Sequence, residues 1–153
     1  MLYIGIYNVL CNKEEKINDS IKLEPVKEIK SSNYSNILKE VHENLDKHIG
    51  QKIRFTGFVY RLYDFEENQF VLARQMIVSS DYQAVVVGFL CEMTNANKYQ
   101  DGCWVEIEGE ITKGDYHGEI PVIKIESIKE AKTPSDEYVY PPDNTYVPTS
   151  ASI

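Results

Sequence analysis

Cysteine, histidine and positive charge are all scarce in this chain, and each shortage narrows what it can do. The cysteines are Cys11, Cys91 and Cys103, odd in number and without a Cys-x-x-Cys pair. That argues against a disulfide framework, and against a closed zinc site built from converging thiolates or imidazoles. The histidines, His42, His48 and His117, share no ligand-like spacing. No metal, no cofactor and no stoichiometric zinc are expected. Lys and Arg number 16 against 24 Asp and Glu, a net charge of −8. An acidic chain repels phosphate, the source of most non-specific nucleic-acid affinity, and the basic residues are scattered. Nucleic acid is not the expected partner.

Long apolar runs are missing too. No segment approaches the ~20 apolar residues of a membrane-spanning helix, so no transmembrane helix is expected in this chain. The opening MLYIGIYNVLC is apolar for about 11 residues and turns charged at Lys13. It has neither the basic start nor the small-residue cleavage site of a signal peptide. It reads equally as a short core strand, the stub of a membrane helix or an unstructured start. The 153 residues suffice for one domain with a modest core and tails. The sequence divides into an N-terminal segment or linker (1–31), a folded domain (32–132) and a Pro/Tyr-rich tail (133–153).

What is present is periodicity. Residues 13–33 are polar, with room for an edge strand near 21–29. Tyr34, Ile37, Leu38, Val41, Leu45 and Ile49 then recur as one apolar stripe of an amphipathic helix. Ser32 or Asn33 is placed to cap it, and Gly50 to stop it. His42 and His48 lie off the stripe and read as solvated. After Gly50 the period becomes two, predicting strands at 53–62, 70–78, 84–91, 104–113 and 120–128. In the fourth, Val105, Ile107 and Ile111 face inward and Glu106, Glu108 and Glu110 face water. Gly109 falls on the inner row, where a missing side chain permits a bend or a close strand. Pro121 marks an edge or a strand end. Five strands, with a helical stretch at 95–99 between the third and fourth, is the order of an OB-like Greek-key barrel, mainly β, preceded by the amphipathic helix. The predicted core is Ile53 or Phe55, Val59, Val71, Val105, Ile107, Ile111 and Ile123, with Leu38, Val41 and Leu45 from the helix. Beyond Ala131 the sequence TPSDEYVYPPDNTYVPTSASI suits an extended or disordered tail. Tyr138 and Tyr140 are placed to pin its first part.

The chemistry-bearing residues are few. In GDYHGEIPVIKI (114–125), Asp115, Tyr116 and His117 crowd one hairpin tip. With Glu119, Asn68 and Gln69 they form a polar pocket if neighbouring loops converge; otherwise Gly114 and Gly118 simply relieve the backbone of a hairpin. Arg61 and Arg74, on adjacent predicted strands, either grip an anion or a partner carboxylate or pair with surface Glu. The row Glu106, Glu108 and Glu110 reads as a hard-cation ledge or as a solvated face. Cys91 and Cys103 can approach across the third and fourth strands. No nucleophile–base pair with an orienting third group is apparent, so no catalytic residue is assigned.

Taken with FTGFVYR (55–61) and NQFVLARQMIVSS (68–80), the hairpin sequence resembles the soluble C-terminal domain of the YcgQ-type membrane proteins, from about Asn33 to Pro142 and through the closing DEYVYP. The resemblance implies an OB-like domain of a two-component permease of unestablished substrate, with a separate permease protein as partner. Full-length members carry membrane helices ahead of this domain. Where the resemblance leads one to expect a Cys-Cys pair closing the second strand, this chain has Ser79-Ser80, which puts any thiol role there in doubt. The expected function is a non-enzymatic accessory or binding domain, membrane-associated through its partner. The alternative is a stand-alone OB module binding an oligonucleotide, an oligosaccharide or a small ligand. An enzyme is a third reading. The candidate ligand or partner face is Arg61, Asn68, Gln69, Arg74, Ser79, Ser80, Asp115, Tyr116 and His117.

Overall fold

A computed structural model describes residues 26–142 except Ser80 and Tyr82. The opening apolar stretch, Cys11, Ser80 and the end of the tail thus lie outside the described residues. The chain enters as a short strand, β1 (Val26–Glu28), followed by helices α1 (Tyr34–Glu43) and α2 (Leu45–His48). Five longer strands follow: β2 (Lys52–Tyr60), β3 (Gln69–Ile77), β4 (Ala84–Glu92), β5 (Trp104–Asp115) and β6 (Glu119–Glu130). A 3-10 turn at Ala96–Lys98 separates β4 from β5, and β7 (Tyr138–Val139) closes the described chain. Around the barrel the order is β2-β3-β4-β6-β5 and back to β2. Neighbours are antiparallel except β4 and β6, which are parallel. That order is the five-stranded Greek-key barrel of the OB fold.

The alternation in β5 places its side chains as its sequence does, with Val105, Ile107 and Ile111 fully buried. They meet Ile53, Phe55 and Val59 of β2, Phe70 and Leu72 of β3, and Ile123 of β6. Each such side chain contributes roughly 1.5–3 kcal/mol by leaving water. Tyr34, Ile37 and Val41 of α1 join this core, while Leu38 and Leu45 pack against it half-buried. A β-bulge between Glu108 and Gly109 bends β5. A Cβ on Gly109 would lie 2.5 Å from the Lys124 carbonyl oxygen, so only glycine lets β6 approach there. Pro121 pairs only with β5, one residue before β6 meets β4, so its missing N–H costs no ladder bond on that side.

Several expectations fail for identifiable reasons. The helix does not run to Ile49: Asn44 leaves helical geometry (φ −129°, ψ 48°) and the phase resets. His48 is therefore buried and Ile49 exposed. His48 Nε2 lies 2.8 Å from Glu40 Oε2, and Nδ1 lies 3.1 Å from Gln51 Oε1. Asn33 does not cap α1 through its side chain; its Oδ1 accepts from the Lys30 N–H at 2.8 Å. Val71 is not in the core: Phe70 and Leu72 take the inner row of β3, and Val71 faces outward. The tail is pinned at the positions expected, but by the buried side chain of Val139 and by backbone: Tyr138 pairs with Gln75 and the Tyr140 carbonyl accepts from Ser35 Oγ, while both tyrosine rings are exposed.

The barrel has a seam. β2 and β3 pair only through residues 58–60 and 71–73. Where they part, β1 pairs in parallel with β2 and β7 in parallel with β3. Arg74 staples this seam. Its Nε donates to the Thr56 carbonyl at 2.9 Å, and its Nη1 to Ser31 Oγ at 2.6 Å and to the Asp136 and Glu137 carbonyls, each at 3.2 Å. The guanidinium lies over the rings of Tyr34 and Trp104, 5.5 and 5.4 Å from their centroids. It is 3% exposed, and burial pushes its pKa down from the ordinary arginine value.

Candidate functional site

At one mouth of the barrel the β2–β3 loop meets the β5–β6 hairpin. The Tyr116 hydroxyl donates to Asp64, 2.9 Å from Oδ1 and 3.1 Å from Oδ2. His117 Nε2 lies 3.6 Å from Asp64 Oδ2, and the Phe65 ring stands edge-on to Tyr116 at 5.3 Å. Loss of water around the phenol, and then the neighbouring carboxylate, push the Tyr116 pKa above its ordinary value. The tip itself is tightly turned: the Tyr116 N–H donates to the Gly118 carbonyl at 2.9 Å, and the Gly118 N–H to Asp115 Oδ1 at 3.1 Å. Gly118 (φ +127°) occupies backbone space open to glycine, and His117 (φ +57°) sits in the left-handed region. The loops do converge, but through Asp64. Gln69 is turned away, accepting from the Glu66 N–H and donating to Glu92, and the Asn68 carbonyl accepts from the Met93 N–H.

The remaining candidates do not gather into one site. Arg74 belongs to the seam. Arg61 is bound to Asp101 Oδ1 at 2.7 Å and to the Ala96 carbonyl at 2.6 Å, bracing the turn after β4. Ser79 Oγ accepts from the Asp81 N–H at 3.3 Å. Cys91 is buried, which pushes its thiol pKa up, and Cys103 is half-buried; neither is in a disulfide. The glutamate row faces cations across the sheet: Lys129 at 3.1 Å from Glu106, Arg54 at 2.8 Å from Glu108 and Lys52 at 3.5 Å from Glu110. Among the described residues, no group of three or more His, Cys, Asp or Glu is placed to hold a metal ion, and no helix is long and apolar enough to cross a membrane.

A second feature, a recess, is one that sequence reasoning missed. A groove of about 450 Å³ lies beside α1 and takes in residues of both faces of β3 and β4, Val71 and Val86 from the outer face and Met76 and Val87 from the core side. Tyr60, Val71 and Val86 line it, along with Gly88, where a Cβ would lie 2.2 Å from the Leu72 carbonyl oxygen, so the missing side chain lets β3 close against β4. Register places Tyr60 beside Val71, Gly88 opposite Ala73 and Val86 opposite Gln75, on one face of the sheet. From α1 come Leu38, Lys39 and His42, and Pro142 closes one end. Its sequence signal is the run Phe70-Val71-Leu72-Ala73, apolar on both faces where a half-solvated strand would alternate. In OB folds this sheet face and the loops beside it are the usual ligand surface.

Strand order and groove together define an OB barrel with an apolar recess beside β3, β4 and α1. The chain matches the DUF1980 C-terminal domain over residues 8–141 and belongs to that family. It is 30% identical over 95 residues to the UPF0703 protein YcgQ of Bacillus subtilis (strain 168), a match covering 60% of this chain and 33% of that protein. The chain thus spans about a third of that relative's length. Among solved structures it is similar to the mitochondrial single-stranded DNA binding protein Rim1 of S. cerevisiae, with TM-score 0.37 and 14% identity over 54% of this chain and 94% of that one. It is also similar to the N-terminal domain of PriB from Thermoanaerobacter tencongensis, with TM-score 0.33 and 14% identity over 53% of this chain and 96% of that one. Likeness at that level carries no argument, and the fold stands on its strand order.

Proposed function

We propose that this domain is a non-enzymatic accessory module of a membrane permease, one that binds rather than transforms. The observation that carries the reading is the groove: an apolar recess of about 450 Å³ lies within the usual size range of ligand sites and has few polar groups. Family membership supports it, as does the YcgQ relative, two thirds of which lies outside the match and leaves room for other segments beside this domain. At the mouth, Tyr116 and His117 both lean on the same carboxylate, an arrangement that supplies no activated nucleophile. The test is co-expression of a tagged full-length family member with the permease protein expected to accompany it, with and without this domain. Recovery of the permease in stoichiometric amount only with the domain present is the expected outcome. Equal recovery without it sinks the accessory role.

The oligonucleotide reading is disfavoured on charge. Arg61 and Arg74 are consumed internally, and Lys39, Lys52, Lys113, Lys124 and Lys129 each face a carboxylate within 4 Å. No binding tighter than micromolar to single-stranded DNA or RNA is expected near physiological salt. A fluorescence anisotropy titration showing sub-micromolar, steeply salt-dependent binding would overturn that.

A further inference from the structure

We propose that the groove seats a segment of this same chain, the tail pair Tyr146-Val147, laid as an added strand along the open edge of β4. The inference goes beyond the accessory role and does not depend on it. β4 pairs with β3 along its whole length but with β6 only through Leu90, Cys91 and Glu92, so its first half has one open edge. Two bonds show how its backbone is turned there. The Val78 N–H donates to the Gln83 carbonyl, and the Met93 N–H to the Asn68 carbonyl, one at each end of the β3–β4 ladder. Bonded pairs alternate along an antiparallel ladder. Val85 and Val87 therefore bond to β3, while Ala84, Val86 and Gly88 turn their N–H and C=O groups away from it. Among the described residues no partner meets those groups. The edge also lacks the usual protection: residues 84–91 hold no charge and no proline, and Val85 and Val86, on opposite faces, are 44% and 39% exposed. The recess follows this edge, since it is lined by Val86 and Val87, neighbours that point to opposite faces. An open apolar edge beside a groove takes an extended segment whose backbone completes the ladder.

The occupant is identified by where the tail leads. The Tyr140 carbonyl accepts from Ser35 Oγ of α1, and Pro142 already lines the groove. Tyr146 follows four residues later, a reach of up to about 13 Å against a strand spacing of about 5 Å. The tail makes such a pairing once already: Tyr138-Val139 forms β7 on the open edge of β3, with Val139 fully buried. Tyr146-Val147 repeats that pair eight residues on, again with a proline close behind it. No side chain from Asn144 to Ile153 is charged, which suits an uncharged edge. Each edge of the β3–β4 hairpin thus receives one Tyr-Val pair, and an occupant from outside the chain has to displace the second. The apolar opening of the chain has no such lead-in. A charged stretch separates it from Val26, which pairs with Lys52 on β2.

The experiment is amide hydrogen exchange, read by nuclear magnetic resonance on the full chain. The Val86 N–H should exchange about tenfold more slowly in the parent than in a Tyr146→Asp/Val147→Asp double variant. The Val87 N–H, bonded to β3, should be equally protected in both, which also shows that the variant is folded. A Thr149→Asp/Ser150→Asp variant adds the same charge beyond Pro148 and should keep the Val86 protection. Nuclear Overhauser contacts from the Val147 methyls to Val86 or Leu38 are expected in the parent. Their absence overturns the proposal whether or not the variants fold. Equal Val86 exchange in the parent and the tail variant overturns it as well. Protection that falls on dilution assigns the edge to a second copy of the chain. Protection that survives the tail variant but is lost in Ile4→Asp/Ile6→Asp assigns it to the opening segment, and either result overturns the proposal.

Discussion

The seam and the mouth of this barrel are built from similar residue types to opposite effect. At the seam a cation, a tyrosine and backbone carbonyls are packed out of water around Arg74, and two flanking strands depend on the arrangement. At the mouth a carboxylate, a tyrosine and a histidine meet around Asp64 with His117 three-quarters exposed. The difference is solvent. A hydrogen bond that replaces one to water contributes little, whereas one whose loss strands buried groups is costly to break. The seam is therefore structural, and the mouth is free to change partners.

The sharpest break in that comparison is Arg74→Met. It fills similar volume but leaves the Thr56 and Glu137 carbonyls without this donor, and a loss of roughly 3–5 kcal/mol in urea unfolding is expected. Arg61→Met, whose partner Asp101 is 63% exposed but which also leaves the Ala96 carbonyl without this donor, should cost less, about 1–2 kcal/mol. Comparable losses in the two variants would show that the seam is not what holds the flanks. Next in size is Gly109→Ala. The added carbon would lie 2.5 Å from the Lys124 carbonyl oxygen, so β6 must shift, at a cost of roughly 1–3 kcal/mol by the same measurement. An unchanged midpoint would mean that the bulge opens freely.

How far the sequence reaches follows from the same distinction. Strand β5 is legible because hydrophobic and charged residues alternate strictly, so register and face are read together. Strand β3 is not, because Phe70-Val71-Leu72-Ala73 has no parity, and an error of one residue moves Val71 from groove to core. The helix is legible to Asn44 and not beyond it, since a periodic stripe carries no mark of the break that turns His48 inward. Arg61 and Arg74 look alike in sequence and differ only in what the flanks bring to them. Asp64 reads as turn chemistry, and nothing local marks it as the residue on which Tyr116 and His117 converge. The groove draws on β2, β3, β4 and α1, and its one local trace is the run Phe70-Val71-Leu72-Ala73, which does not say what faces it.

Between seam and mouth in size stands the Glu40–His48 contact under the α1–α2 break. The hydrogen bond from His48, foremost, holds the Glu40 carboxyl below its ordinary pKa, with a further bond from Asn44 in the same direction. A lowered folded-state value means that the contribution is complete above the unfolded carboxyl pKa of about 4.3 and is lost as pH falls through the folded value. Glu40→Gln should therefore cost roughly 1–2 kcal/mol at neutral pH and nothing in acid below both values. The measurement is urea midpoints at a series of pH values. A gap that persists unchanged into acid would assign the loss to packing.

The smallest effect is expected at the mouth, and it is the more telling for being read in titration rather than in stability. The Tyr116 phenol has its pKa raised first by lost hydration and then by the Asp64 carboxylate, which accepts its proton in a hydrogen bond and repels the phenolate. Asp64→Asn removes the charge and keeps the shape, so the Tyr116 titration should fall part of the way back towards the ordinary phenol value. It should not return fully, because the loss of hydration and the Phe65 contact remain. Eleven tyrosines absorb together, so the signal is isolated by subtracting the ultraviolet titration of Tyr116→Phe from that of the parent. The same subtraction is made in chains that carry Asp64→Asn. Neither substitution should move the urea midpoint at neutral pH, in contrast to Arg74→Met. A Tyr116 titration indifferent to Asp64→Asn would show that the two loops are not held together in solution. The mouth would then be an open hairpin tip, and the contrast with the seam would be one of absence rather than of exposure.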